Sequence, residues 1–342
     1  MFSATPSIPV ERVRLTLDEA SRIAFDALVR VGYDAGDARV VTEHLIDAAA
    51  CGYEYSGLPK ILEIVEAARA REPRRPVRWL RETSMSALLD GGNNVGMVAM
   101  HHATDRVIEL AQAQGFAIVG VTRSWMSGRS AYYVERVARS GLVGFHTVSS
   151  ASLVAPPGGA RPSIGTNPIA FGFPCSPDPL IIDIGTSAIM GTEFGLIRRR
   201  GEQLPEGVAL DAQGHPTRDA EAARAGAFLP LAGYKGFALA LAAKALGVLA
   251  GSALNEAKDY GYLIIAFTPE LMMPREEFER ELRAMIDRVK ATPRQSGVAE
   301  IRIPSERSFR DRRRSAVQGI EVDAPILEAI ESLGIPARRG DH

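Results

Sequence analysis

Residues 95–114, VGMVAMHHATDRVIELAQAQ, carry apolar side chains at helical spacing and run straight into GFAIVGVTRS, residues 115–124, a Val- and Ile-rich run that reads as a buried strand. A helix joined to a buried strand needs a sheet for the strand to enter and a face for the helix to cover, so the chain is expected to be α/β. The common dinucleotide fold is disfavoured. That fold places a Gly-x-Gly-x-x-Gly turn between strand and helix, and the Gly-rich stretches here, GGNNVGM at 91–97 and GYKGFAL at 233–239, have other spacings. A Walker-type phosphate loop, a His-rich metal motif and a Gly-x-Ser-x-Gly elbow are also missing from the sequence.

Helical patterns dominate the N-terminal part. TLDEASRIAFDALVRVGY (16–33) opens on a capping box, Thr16 and Glu19, and AGDARVVTEHLIDAAACGY (35–53) repeats the apolar stripe. Residues 1–12 contain Pro and no apolar period, so they read as an arm. Beyond the helix SAYYVERVARSG (130–141), strands are expected at LVGFHTVSS (142–150), PIAFGFP (168–174) and PLIIDIGTS (179–187), then a polar loop region over 201–226. The helix KGFALALAAKALGVLAG (235–251), the strand YGYLIIAFTPE (260–270) and the helix REEFERELRAMIDRVKA (275–291) follow. A late strand, AEIRIPSER (299–307), precedes a basic segment and a last helix around APILEAIESLG (324–334).

At 342 residues the chain exceeds the size at which one core usually stops growing, leaving two lobes or one elaborated domain. Its 40 basic and 41 acidic side chains give a net charge of -1, so no global field would draw a polyanion and nucleic acid is not an expected partner. The apolar run GFALALAAKALGVLAG is interrupted by Lys244 and too short to span a membrane. Cys51 and Cys175 are far apart and no secretory signal is evident, so a reducing cytoplasm is expected, with no ligand set for a metal. The basic clusters IRRRG (197–201) and FRDRRRS (309–315) read as solvated helix ends, with phosphate binding as the alternative.

Chemistry concentrates in PPGGARPSIGTNPIAFGFP (156–174) and LIIDIGTSAIMG (180–191). Gly158, Gly159 and Gly165 allow close backbone approach, and Thr166 and Asn167 add short donors and acceptors suited to an anionic or amide-bearing ligand; a plain loop entering a strand is the alternative. Asp183 lies in an apolar strand, where an unpaired carboxylate costs several kcal/mol, so it must have a partner.

With SAYYVERVARSGLVG (130–144), RRGEQLPEGVALDAQGHPTRD (199–219), LAGYKGFALAL (231–241) and IRIPSER (301–307), these stretches resemble the malate/L-lactate dehydrogenase-type family of NAD(P)H-dependent oxidoreductases over nearly the whole chain. That family includes malate and sulfolactate dehydrogenases and the reductases of piperideine-2-carboxylate and pyrroline-2-carboxylate. The resemblance implies the family's non-Rossmann α/β fold, with a mixed central sheet and a helical N-terminal part. It implies a substrate-side part at 13–115 with 300–342, a dinucleotide-binding part at 116–299, and a homodimer. It also implies NADPH or NADH as cofactor, NADPH slightly preferred, and gives cofactor contacts to Ser124, Gly128, Thr166, Asn167, Ile182, Asp183, Ile184, Gly185, Thr186, Tyr234, Lys235, Ser305, Glu306 and Arg307. Arg129, Arg198, Arg199 and Arg307 are the candidates to meet a 2'-phosphate.

One stretch departs from the family. CGYEYSGLPKILE (51–63) stands where the family reads approximately Gly-x-x-Ser-His-Gly-x-x-Arg, the His moving a proton and the Arg gripping the substrate carboxylate. Ser56 takes the place of the His and Lys60 that of the Arg. In RSWMSGRSAYY (123–133), Ser124 and Gly128 of the family's Ser-x-His-Phe-Gly persist, Met126 replaces the His, and Arg129 appears nearby. A hydroxyl does not titrate near neutrality, so Ser56 cannot take over from an imidazole. Tyr53 or Tyr55 with a phenol pKa lowered by Lys60, or His146, are the candidate substitutes; ordinary aromatics and a structural histidine are the plainer readings.

The substrate offers another answer, because a protonated C=N enters already activated and leaves as a neutral amine. The expectation is therefore an NAD(P)H-dependent reductase of a small 2-imino (ketimine) or 2-oxo acid. Ser56 with Tyr55 or Tyr53 would orient the reacting atom and Lys60 would hold the carboxylate. Alternatives are a malate- or lactate-like 2-hydroxy acid dehydrogenase with a substitute acid, and a catalytically silent cofactor-binding protein.

Overall fold

The structure, a computed structural model, describes residues 11–252 and 260–334. It opens with a short strand, β1 (Arg12–Leu15), followed by α1 (Leu17–Arg30). The expected capping box fixes the start of that helix: the Glu19 amide donates to the Thr16 hydroxyl at 3.2 Å and the Thr16 amide donates to the Glu19 carboxylate at 2.8 Å. Thr16→Ala is expected to cost about 1 kcal/mol, read as a lowered denaturant midpoint at unchanged m. Asp34 caps α2 (Ala35–Ala50), and a tight turn, Glu54–Ser56, leads into α3 (Lys60–Glu66). Leu28, Leu45 and Ile61 from these helices share one core with Val322, Ile326 and Ile330 from the far end of the chain.

The hairpin β2 (Arg78–Glu82) and β3 (Ser86–Asp90) leads through α4 (Gly96–Gln114) to β4 (Phe116–Thr122), so the expected helix-to-strand junction is present. Gly115, with φ +82°, closes α4 and turns the chain into β4. Next come α5 (Ser130–Arg139), β5 (Val143–Ser149), β6 (Ile169–Phe173) and β7 (Leu180–Ile184). The 201–226 region holds little regular structure beyond β8 (Ala209–Leu210) and α7 (Ala220–Arg224), between α6 (Gly191–Arg199) and β9 (Ala227–Phe228). The chain then forms α8 (Tyr234–Leu249), β10 (Gly261–Phe267), α9 (Arg275–Lys290), α10 (Glu306–Gln318), β11 (Ile320–Asp323) and α11 (Ala324–Glu331).

Seven strands make the central sheet in the order β2-β3-β4-β10-β5-β6-β7, with β3 and β4 parallel and every other pair antiparallel. The sheet is mixed and non-Rossmann, as expected. Its centre is β10, paired over all seven residues with β4 on one side and β5 on the other. Val119, Val121 and Ile264 pack there against Met100 and Val107 of α4.

Two expectations need correction. AEIRIPSER forms no strand: residues 299–303 join no ladder, are largely exposed, and end in a turn at Pro304 and Ser305 before α10. An alternating pattern makes a strand only where a sheet edge accepts its backbone groups, and this segment meets none among the described residues. The arm expected over residues 1–12 is corrected at its end, because Arg12 already belongs to β1 and pairs with Asp323 of β11; residues 1–10 lie outside the described residues.

Candidate active site

Gly52, at φ +80°, breaks the line of α2 and starts the turn that carries Tyr53, Tyr55 and Ser56 to the mouth of α3 and its buried Lys60. These four residues line a cleft of about 360 Å³. Gly128 and Arg129 before α5, Ser150 after β5, Thr166 before β6, Asp183 and Gly185 at the end of β7, and Met190 before α6 line it too. Segments far apart in sequence thus meet at the strand ends of the sheet.

Other expected site residues are spent elsewhere. Asn167 is fully buried, accepting from the Ser150 amide at 2.9 Å and donating to the Ala240 carbonyl at 2.9 Å, so it fixes the approach to β6. The Thr186 hydroxyl donates to the Thr166 carbonyl at 2.8 Å, and that of Ser124 to the Asn94 carbonyl at 2.6 Å. Ile182 and Ile184 sit on β7 outside the cleft lining, Tyr234 and Lys235 on the exposed start of α8. Ser305 precedes α10, Glu306 pairs with Lys290, and the Arg307 guanidinium lies 5.3 Å from the Tyr53 ring centroid.

The partner demanded by Asp183 is the Ala131 amide at the start of α5, which donates to its carboxylate at 2.8 Å. Surrounding protein pushes this carboxyl up, while the Ala131 amide and Arg129 pull it down; its exposure to the cleft lets water moderate both. Lys60 reaches Glu63 at 3.0 Å and Arg129 reaches Asp47 at 2.6 Å. The basic clusters are compensated as well: Arg198 by Glu221, Arg199 by Glu66, Arg200 by Asp323, Arg310 by Glu300, Arg312 by Glu135 and Arg313 by Asp178. Each of these arginines thus has a carboxylate beside it.

Residues 15–331 match the family described as malate/L-lactate dehydrogenase. The chain belongs to that family. It is 33% identical to the Delta(1)-pyrroline-2-carboxylate reductase of Pseudomonas fluorescens, covering 94% of this chain and 99% of the relative. With the L-sulfolactate dehydrogenase of Methanothermobacter thermautotrophicus it shares 31% identity over 94% and 96% of the two chains. The crystal structure of a dehydrogenase from Sinorhizobium meliloti superposes with a TM-score of 0.86 at 28% identity, covering 95% and 98%. This member of the malate/L-lactate dehydrogenase family is an oxidoreductase, and the reading as a catalytically silent binder loses its ground.

Two proposed substitutes for the family histidine are corrected by the structure. His146 is fully buried on β5, its Nδ1 2.9 Å from the Leu263 carbonyl, and it does not line the cleft; burial takes its pKa down to about 4. Tyr55 lines the cleft, but burial, with Tyr53, Glu193 and Asp183 adding to it, pushes its phenol up to about 12 instead of down. Sequence reasoning missed His44. Its Nε2 accepts the Arg129 amide at 2.8 Å, and burial, reinforced by Arg129 and Lys60, lowers its pKa to about 3. Among the described residues, no imidazole lines the cleft.

The cleft fits the reacting half of a nicotinamide dinucleotide. Val148, Leu153 and Met190 offer an apolar wall for a ring, while Thr166 and Asp183 offer polar groups for a carboxamide. Ser130 adds a buried hydroxyl that has no hydrogen-bond partner.

Proposed function

We propose that this family member is a nicotinamide-dependent reductase whose preferred substrates are small 2-imino (ketimine) acids, with 2-oxo acids second and NADPH preferred to NADH. The observation that carries this reading is a cleft that no imidazole of the described residues lines, combined with a Tyr55 phenol too weakly acidic to replace one. The bound nicotinamide supplies the hydride. Ser56 and Tyr55 orient the reacting atom, and the raised pKa keeps Tyr55 a neutral hydrogen-bond donor. Thr166, Asp183 and Gly185 border the ring side of the cleft. A protonated C=N becomes a neutral amine on gaining hydride, so no side chain need deliver a proton in that step. A ketone becomes an alkoxide and needs one.

The test is oxidation of NADPH and NADH against piperideine-2-carboxylate, pyrroline-2-carboxylate, pyruvate, oxaloacetate, and pyruvate with methylamine. The cyclic imines are expected to exceed the plain 2-oxo acids in kcat/KM by about 100-fold or more, the factor a missing general acid costs. Equal or reversed preference would sink the reading.

Asp183 favours a second reading, a 2-hydroxy acid dehydrogenase, because its raised carboxyl faces the cleft. A bell-shaped pH profile in the oxidation direction that disappears in Asp183→Asn would support that reading instead.

The proposal extends to a homodimer in a reducing cytoplasm. Both cysteines are free, and α8 exposes Leu241, Val248 and Leu249 on a face that a second copy would cover. Among the described residues no helix is long and apolar enough to cross a membrane. Residues 13–115 with 300–342 form the substrate side in this reading, and 116–299 the cofactor side.

A further inference from the structure

We propose that Arg129, and not Lys60, grips the substrate carboxylate; this rests on the acid-reductase reading and adds a residue to it. Lys60 is already neutralised. Its ammonium, 6% exposed, is 3.0 Å from the Glu63 carboxylate, and Glu63 lines the same cleft. An incoming carboxylate at Lys60 would therefore meet a like charge beside it.

Arg129 is differently placed. Its hydrogen bonds to protein run through Nη2, which donates to Asp47 at 2.6 Å and lies 3.6 Å from Cys51 Sγ, while Nε is buried and has no partner. A guanidinium with unspent donors at the edge of a cleft is suited to a planar acid, which a lysine can meet only as a point charge. On the side away from the cleft, the ion-pair network around Arg129 carries more guanidiniums than carboxylates. Asp47 pairs with Arg129 and Arg312, and Glu135 with Arg312 and Arg139, so two carboxylates serve three guanidiniums. Asp183, the neighbouring acid, also lines the cleft and feels the Arg129 charge, but its carboxylate is held by the Ala131 amide.

The position is also held rigidly. The Arg129 amide is anchored on His44, and its guanidinium lies 5.4 Å from the Tyr53 ring centroid. Arg129 follows Met126 by three residues, so the loop that has lost the histidine of the family's Ser-x-His-Phe-Gly is the one that has gained this cation.

The experiment is calorimetric titration of the NADPH-loaded protein with pyrrole-2-carboxylate, a planar stand-in for the imino acid, and with pyrrole-2-carboxamide, which lacks the charge. Arg129→Gln should weaken the carboxylate by about 10- to 150-fold, the range for a hydrogen bond to a charged group, and leave the carboxamide within about threefold. Arg129→Lys keeps a charge beside Asp47 and covers the case in which the glutamine variant does not fold; it should recover no more than about a tenth of the wild-type carboxylate affinity. Arg312→Gln disturbs the same ion-pair network away from the cleft and should keep the preference for carboxylate over carboxamide.

Equal loss of both ligands in Arg129→Gln, loss of the preference in Arg312→Gln as well, or failure of the wild type to bind the carboxylate would each overturn the assignment. Wild-type binding of the carboxylate without turnover of either cyclic imine would instead sink the reductase reading and leave Arg129 standing.

Discussion

Acidification is expected to destabilise the folded protein from about pH 6.5 downward, on a slope to which two fully buried histidines contribute. His44 and His146 both start from 6.5, and burial lowers them to about 3 and about 4. The His44 ring is kept neutral by its surroundings, since Nε2 accepts the Arg129 amide and Arg129 and Lys60 repel a proton. The Leu263 carbonyl beside His146 Nδ1 only partly offsets its burial. Between pH 6.5 and 4 the unfolded chain binds two protons that the folded chain refuses. Their contribution to stability is thus fully present above pH 6.5 and lost as pH falls, at about 1.4 kcal/mol per pH unit for each histidine. Denaturant midpoints measured from pH 7.5 to 4.5 should show this fall, and His146→Leu should make it shallower. A midpoint that stays flat down to pH 5 would mean that neither ring is held neutral.

Fold elements written in local sequence were legible. Thr16 and Glu19 announced α1, and the change of period after Gln114 announced β4. What the sequence did not carry was partnership. The apolar run at 260–270 identifies β10 as a strand, but nothing local says that it enters between β4 and β5. The pairing of β1 with β11 was missed for the same reason: RVRL and IEVD are short and half charged, and it is their mutual ladder, the ion pairs of Arg12 with Asp323 and Arg14 with Glu321, and their shared core that make them strands. AEIRIPSER failed in the opposite direction, having a strand's composition and no edge to join.

The site shows the same division. Tyr53, Tyr55, Ser56, Lys60, Gly128, Thr166, Asp183 and Gly185, named from sequence, converge on one cleft because turns and strand ends collect at one side of the sheet. Asn167, Thr186 and Ser124 carry the same polar groups yet satisfy backbone atoms, a use that composition cannot distinguish from ligand binding. His44 gave no signal, being one buried position on the amphipathic α2. Arg129 was visible as a residue but not as a placed charge, since its partner Asp47 lies 82 residues away.

The other large effect is expected at Gly128, where the backbone of the Arg129 loop meets His44. At φ +76° an alanine carries about 1–2 kcal/mol of strain. Its Cβ would also overlap His44 Nε2 and come within 2.8 Å of Cδ2. The ring has little room to retreat, with Tyr132 and Tyr133 packed at centroid distances of 4.6 and 5.3 Å. If it moves, the Arg129 amide loses its acceptor, and an unpaired buried donor costs about 1–3 kcal/mol more. Gly128→Ala should therefore lose about 2–5 kcal/mol in denaturant unfolding. It should also reduce kcat/KM for the preferred acid by about 100-fold, because a group gripping the carboxylate is displaced from its working geometry. Gly207→Ala supplies the comparison: φ is +74° there but nothing lies within 4 Å of the added methyl, so only backbone strain is introduced and kcat/KM should hold. Equal stability losses in the two variants, with activity intact in both, would show that the contact between Gly128 and His44 does not position Arg129.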